Sequence, residues 1–325
     1  MKIHARALAR SFLLRSLRSE KRSDYGIFMS EIIECIPNIS EGRDMSVISA
    51  CVNAVCSVDG IKMMNFSSDA DHNRSVLTYM GNSNAVEEAA VRLAKVCAEK
   101  IDLRKHSGKH PRVGALDVLP FVPLRDFDTE QAVLLSRRVG KRIWEEVGIP
   151  VFLYEDSAKQ DYRKNLADIR RGGFENLAQK TSLKEWQPDF GQGFHQSAGV
   201  TVAGARFPLI AYNFDLETDD VETAKKIAGK IRQSNGGLPG VKALGIYLKE
   251  RNCAQVTVNL VNYTLTPLHV LTEEVRRLAI EYNTGVKQAE LIGLLPMKAM
   301  AEAAAFYLGL ADFDPDTRII ENYLL

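Results

Sequence analysis

From Glu31 onward, short apolar runs alternate with segments whose apolar residues fall on one helical face. Ile32, Ile33, Cys35 and Ile36 read as a strand stopped by Pro37, and Val47, Ile48, Cys51, Ala54 and Val55 share the face of a helix. Residues 61–66 and 75–80 read as two successive strands, after which Asn84 and Glu87, three positions apart, predict a capping box that opens a helix. A strand is expected over 116–122, a helix over 130–147 and a strand over 150–154.

The second half repeats the order. It gives a strand over 209–214, a helix over 221–233, two alternating strands over 241–248 and 255–261, a helix over 268–282, a strand over 289–294 and a last helix over 296–307 with Pro296 in its first turn. Each half thus runs strand–helix–strand–strand–helix–strand, the order of a ferredoxin-like split βαβ unit. The expected fold class is α+β: two ferredoxin-like subdomains, each with helices on one face of a largely antiparallel sheet. The subdomain boundaries are expected at residues 29–206 and 207–325, with residues 173–200 acting as a linker that carries a functional loop. A crevice between two such units is a common place for a small ligand.

Composition narrows the function classes. No apolar stretch approaches the roughly 18–20 residues that span a bilayer. The five cysteines, Cys35, Cys51, Cys56, Cys97 and Cys253, form no C-x-x-C pair and read as reduced thiols of a cytoplasmic protein. Residues 1–28 hold seven Lys/Arg and two acids, whereas the rest holds 35 basic and 39 acidic residues, so the body has no basic excess for a nucleic-acid backbone. The Arg- and Ser-rich residues 1–28 are expected to be a tail or a spurious extension starting ahead of Met29, with organellar targeting as the alternative.

The densest polar stretch is Arg104 to Asp117, which contains His106 and His110. Their i, i+4 spacing suits a helical zinc pair, but Gly108 and Pro111 disfavour a helix there, and no metal is expected. A loop before a strand, presenting an imidazole among cationic groups, is the better fit, although spacing alone does not separate it from an ordinary solvated loop. In Asp69 to Arg74, the aspartates suit an Asx turn, while Asn73 and Arg74 are candidates for holding a substrate carboxylate. The glycine-flanked stretch Gly191, Gln192, Gly193, Phe194, His195, Gln196, Ser197, Ala198 and Gly199 lacks the third glycine and the preceding strand of a dinucleotide fingerprint. It reads as a mobile loop with Phe194 available to stack on a flat ring. The sequence has no phosphate-binding P-loop, nucleophile elbow or H-E-x-x-H motif.

Several of these stretches together resemble the formiminotransferase family. The resemblance rests on residues 34–42, 71–76, 106–117, 186–191, 199–206 and 290–296, in that order, and extends over about residues 31–310. It implies two α/β subdomains with folate between them and transfer of a formimino group from N-formimino-L-glutamate to tetrahydrofolate, giving 5-formimidoyltetrahydrofolate and L-glutamate. 5-Formyltetrahydrofolate is implied as a slow formyl donor. The family's catalytic histidine matches His110, and its folate-contacting loop matches Gly191 to Gly199, one residue shorter here. Arg112 and Arg74 are then expected to hold carboxylates.

The resemblance further implies a homodimer, histidine breakdown as the setting, tetrahydrofolate as co-substrate without a metal, and a cyclodeaminase activity that is either on another chain or absent. Three positions depart from the family pattern: Ser67 replaces an aspartate, Gln288-Ala289 replaces Gly-Ser, and Val113 replaces a methionine. The rival expectations are a folate-binding regulator without catalysis and a metal-dependent hydrolase using His72, His106 and His110.

Overall fold

A computed structural model describes residues 31–108 and 111–323. The basic tail of residues 1–28 and His110 both lie outside the described residues. The fold is α+β, and the chain divides into two compact units, residues 1–206 and 207–325.

In unit 1 the first strand is split at Pro37 into β1 (Ile32–Cys35) and β2 (Asn38–Ile39), because proline has no N–H for the ladder. There follow α1 (Met45–Cys56), β3 (Lys62–Asp69), β4 (Arg74–Gly81), α2 (Ser83–Lys100), β5 (Leu116–Arg125), α3 (Thr129–Val147), β6 (Val151–Leu153) and β7 (Thr201–Ala205). The strand order is β3, β4, β1/β2, β5, β7, β6. The first four positions form an antiparallel βαββαβ sheet, and β7 and β6 extend it in parallel beyond β5. Helices α1, α2 and α3 bury Cys51, Val52, Val55, Leu93, Leu135, Val139 and Ile143 against Ile33, Cys35, Leu116, Leu119 and Phe121.

Two details differ from the pattern read in the sequence. Helix α2 is capped by Asn82, whose side chain accepts from Ala85 N at 2.9 Å, rather than by Asn84; Glu87 pairs with Arg138 and Arg142. The true capping box lies at α3, where Asp128 and Gln131 bond each other's backbone N–H.

Residues 173–200, expected as a linker with a functional loop, are part of a longer stretch, residues 155–200, that packs onto unit 1. They cover the second face of the β5–β7–β6 edge with two short helices, α4 (Leu166–Arg170) and α5 (Leu177–Ser182). Ile169 and Leu177 there join Val118, Phe152, Tyr154 and Val202, with Phe174, Trp186 and Phe194 packed around them. This sheet is therefore covered partly on both faces. The Lys180 ammonium donates to the carbonyls of Asp168 and Ile169, both at 2.6 Å, and lies 4.0 Å from the Trp186 ring centre. Burial beside Arg171 pulls the Lys180 pKa down to about 8.

Unit 2 contains β8 (Ile210–Leu216), α6 (Val221–Ile231), β9 (Val241–Leu248), β10 (Cys253–Leu260), α7 (Leu268–Glu281), β11 (Val286–Ile292), α8 (Met297–Leu308) and α9 (Pro315–Arg318). Its antiparallel order, β11-β8-β10-β9, places the last strand at one edge and the second at the other, as the split βαβ repeat requires. Ile227, Ile231, Leu271, Val275 and Leu278 meet Phe214, Val256 and Val258 in its core.

Helix α6 sits so close to β9 that a Cβ built on Gly245 would lie 2.2 Å from Lys225 N. Gly245→Ala is therefore expected to destabilise unit 2 by about 1–3 kcal/mol, read as a lower urea midpoint.

Candidate functional site

Three turns of unit 1 meet where the sequence concentrates its polar residues. At the Asp69–Arg74 turn, Asp69 accepts from the N–H groups of Asp71 and His72, both at 2.9 Å, forming the Asx turn its residue type suggests. Asn73 then takes a left-handed conformation, φ 50°, which asparagine tolerates better than most residues. Its side chain is committed on both sides: Oδ1 accepts from Gly42 N at 2.9 Å, and Nδ2 donates to Ser107 O at 3.1 Å. There is no room for more at this junction. A Cβ on Gly42 would lie 2.2 Å from Asp69 O, and one on Gly108 would lie 2.4 Å from His72 O.

The third turn is closed on itself. Arg112 Nε donates to His106 Nδ1 at 2.9 Å, which makes Nδ1 an acceptor and leaves Nε2–H to donate to Asn73 O at 2.9 Å. Both ring nitrogens are thus engaged, and neither offers a lone pair to a metal. Arg112 also donates from Nη2 to His106 O at 3.2 Å, and its Nη1 and Nη2 grip the two Glu175 carboxylate oxygens at 3.2 and 2.8 Å. His106 and Arg112 bracket the residues between them in the chain, His110 among them. Burial, aided by the nearby Arg112 charge, holds His106 below its ordinary pKa, although the Asn73 carbonyl pulls the other way. The Arg112 hydrogen bonds lower the Glu175 carboxyl.

Behind this turn, fully buried Asp117 accepts from Val113 N at 2.7 Å and Gly114 N at 3.2 Å, and pairs with Arg170 of α4. Arg74 is half-buried close to Arg170 and Asp117; burial first, then the Arg170 charge, depresses its pKa.

The Gly191–Gly199 stretch hangs from the same framework. His195 and Gly199 exchange two backbone hydrogen bonds at 2.8 Å, and His195 Nδ1 accepts from Ala198 N at 3.1 Å. The end of the loop is stitched to both flanks of the His106–Arg112 turn: Leu103 N donates to Ser197 O, Ala115 N to Ala198 O, and Val200 N to Val113 O, all between 2.8 and 2.9 Å. Gly191, at φ 86°, passes so close to Trp144 that a Cβ would lie 2.6 Å from the indole. Phe194 packs edge-on against Phe174, with ring centres 6.2 Å apart.

The structure therefore brings together Asn73, Arg74 and Arg112 with the base of the Gly191–Gly199 loop. Glu175, Arg170 and Asp117 complete the arrangement. Glu175 had no signal in the sequence, since it lies 63 positions from the arginine it grips. In unit 2, a second polar cluster surrounds Asp215, which accepts from Gln255 at 2.6 Å, Gln288 at 2.7 Å and Arg251 at 2.9 Å.

Residues 32–206 match the N-terminal subdomain of the formiminotransferase domain, and residues 211–314 match the formiminotransferase domain. The chain belongs to the formiminotransferase family. A glutamate formimidoyltransferase of Streptococcus pyogenes serotype M1 is 46% identical over 298 residues, covering 91% of this chain and all of that one. A glutamate formimidoyltransferase of Thermoplasma acidophilum is 44% identical over 87% of this chain and 94% of its own. The formimidoyltransferase-cyclodeaminase of Rattus norvegicus is 40% identical over 90% of this chain and 60% of its own. No helix among the described residues is long and apolar enough to cross a membrane.

Two measurements test this arrangement. Asn73→Ala leaves Gly42 N and Ser107 O without their partners, and is expected to cost about 1–3 kcal/mol in chemical denaturation. The second concerns pH. The native state holds His106 below its ordinary value, so as pH falls the unfolded chain takes up the proton first. The resulting stabilisation is complete above about pH 6.5 and is lost as pH falls from there through the native-state value. Denaturation midpoints at pH 7.5 and 5.5 should differ more in the wild type than in His106→Gln.

Proposed function

We propose that this chain transfers the formimino group of N-formimino-L-glutamate to tetrahydrofolate, releasing L-glutamate and 5-formimidoyltetrahydrofolate. The observation that carries this reading is the 46% identity to a glutamate formimidoyltransferase along that relative's whole length. The two formiminotransferase subdomain matches occur in order on the same chain.

A folate nitrogen attacks the formimino carbon, and the glutamate nitrogen then leaves as an amine. One proton must come off the attacking nitrogen and one must reach the leaving nitrogen. A single imidazole can serve both transfers, since the unperturbed pKa of histidine, about 6.5, lies near neutral pH. In this reading His110 is that group. Arg74, a cation half-buried beside Arg170, takes a substrate carboxylate. Asn73 and Arg112 act on the same substrate side, chiefly by shaping the junction, since their polar atoms already hold Gly42, Ser107, His106 and Glu175. The stretch Gly191–Gly199 borders the pterin, although Phe194 is already packed against Phe174 and Gly199 is bonded to His195. Holding two substrates together contributes alongside proton transfer.

The same reading takes tetrahydrofolate as a co-substrate with no metal, 5-formyltetrahydrofolate as a slow alternative donor, and the protein as a cytoplasmic homodimer. A cyclodeaminase is the partner that would consume its product.

The test is a spectrophotometric assay with N-formimino-L-glutamate and tetrahydrofolate, in which acid converts the product to its absorbing methenyl form. The wild type is expected to turn over, and His110→Ala to lose about 10²–10⁴-fold. A wild type without turnover removes the transferase reading; a His110→Ala variant with near wild-type turnover removes only the acid–base assignment.

A further inference from the structure

We propose that Glu34 binds the pterin edge of tetrahydrofolate and so sets the specificity for that acceptor: its carboxylate accepts from the ring N3–H and the neighbouring 2-amino group. This rests on the reading of the protein as a tetrahydrofolate-dependent transferase.

The sheet of unit 1 places the residue. Ile33 and Cys35, on either side of Glu34, are fully buried in the helix-covered core, so strand alternation turns Glu34 to the second face. On β4, Leu77 and Tyr79 join the same core, which puts Arg74, Val76, Thr78 and Met80 on the second face as well. Glu34 pairs with Met80 of β4 on one side and with Val122 of β5 on the other. Beyond β5, Phe121 pairs with Ala205, which brings the next residue, Arg206, beside Val122. Met80, Glu34, Val122 and Arg206 thus form a row across four strands. The covering segment packs over β5, β7 and β6, and the cluster it forms takes in no residue of β1 or β4.

One strand joins this row to the polar corner. Arg74 and Met80 stand six residues apart on the same face of β4, about 20 Å along the strand, with Val76 and Thr78 between them. A glutamate-sized molecule whose carboxylate is held by Arg74 ends short of Glu34. The flat, two-ring pterin that it meets extends the ligand along the strand toward the carboxylate.

The state of Glu34 is what a ligand of this kind would relieve. It is half-buried, and no hydrogen bond from the described residues reaches its carboxylate; Arg206 acts on it through charge alone. Burial accordingly raises its pKa above the ordinary carboxylate value, and the Arg206 charge opposes the rise. Asp117, Glu175 and Asp215 differ, for each holds hydrogen-bond donors of its own. A buried acceptor without donors is costly, and such a group calls for an explanation. The 2-amino-4-oxopyrimidine edge carries two parallel N–H groups, which match two carboxylate oxygens as a guanidinium does. The formimino group carries a similar N–C–N pair, so the experiment separates the two sources.

The experiment measures calorimetric Kd for tetrahydrofolate, KM for N-formimino-L-glutamate and thermal midpoint in the wild type and Glu34→Gln. It repeats the Kd with a tetrahydrofolate analogue bearing methyl in place of the 2-amino group. Glu34→Gln is expected to weaken tetrahydrofolate binding about tenfold or more, with KM for N-formimino-L-glutamate within about twofold. The wild type should discriminate against the analogue, and Glu34→Gln should discriminate less. The midpoint should hold or rise, because the variant removes a buried charge that has no donor.

An unchanged Kd in Glu34→Gln overturns the proposal, as does equal discrimination against the analogue in both proteins. A loss confined to N-formimino-L-glutamate assigns Glu34 to the formimino group and overturns the pterin contact. Weaker binding with a midpoint lower by more than about 4 °C makes the residue structural and overturns it too. A wild type that binds no tetrahydrofolate removes the underlying reading, a result distinct from all of these.

Discussion

The free edge of strand β5 is the constraint on which unit 1 depends. One edge pairs with β1 and β2, and the other must find partners for a row of buried N–H and C=O groups. Strand β7 supplies them, entering in parallel between β5 and β6, which are themselves joined through α3. Because β7 is locked there, the residues just before it are locked too, and they are the end of the Gly191–Gly199 loop. Its bonds to Leu103, Val113 and Ala115 then set both flanks of the His106–Arg112 turn. The candidate site thus inherits its rigidity from a backbone ladder rather than from any single side chain.

Upon this ladder the charged groups arrange themselves by necessity. Buried Asp117 is tolerable because two backbone donors and Arg170 surround it, and Arg112 because His106 and Glu175 do. Breaking such a set by removing one partner costs more than the set itself contributes, since the remaining charge stays buried. Arg74 adds a second cation near Arg170, with Asp117 and Asp69 as the nearby counter-charges. Turns pinned by Asn73, with no room for side chains at Gly42 or Gly108, keep these charges from spreading apart.

Much of this was legible in the sequence, and the exceptions have physical causes. The α1, α3, α6 and α7 segments announced themselves through three-to-four-residue periodicity, and β9 and β10 through alternation. Strand β7 did not: Thr201–Ala205 is small, buried on both faces and without alternation, as a parallel strand in the middle of a covered sheet is expected to be. Residues 173–200 looked like a linker because their apolar residues are spaced for packing onto a sheet edge formed by distant strands. At the site, polar density drew attention to His106, Arg112 and Asn73. It could not reveal that the first two bond each other, nor that Glu175 reaches Arg112 from across the fold, because these relations exist only after folding. The cap of α2 was misplaced by two residues because Asn82 and Asn84 carry the same chemistry, and only the helix's entry geometry selects between them.

The covered edge has an optical consequence. The chain contains two tryptophans, and both lie on this edge: Trp186 within the covering segment, against the Lys180 ammonium, and Trp144 on α3, against Gly191. Unit 2 contains neither. Tryptophan emission, excited at the red edge where tyrosine does not absorb, is therefore a local signal. It reports the surroundings of the glycine-flanked loop and the strip of chain leading to it, whatever happens in the other half of the molecule.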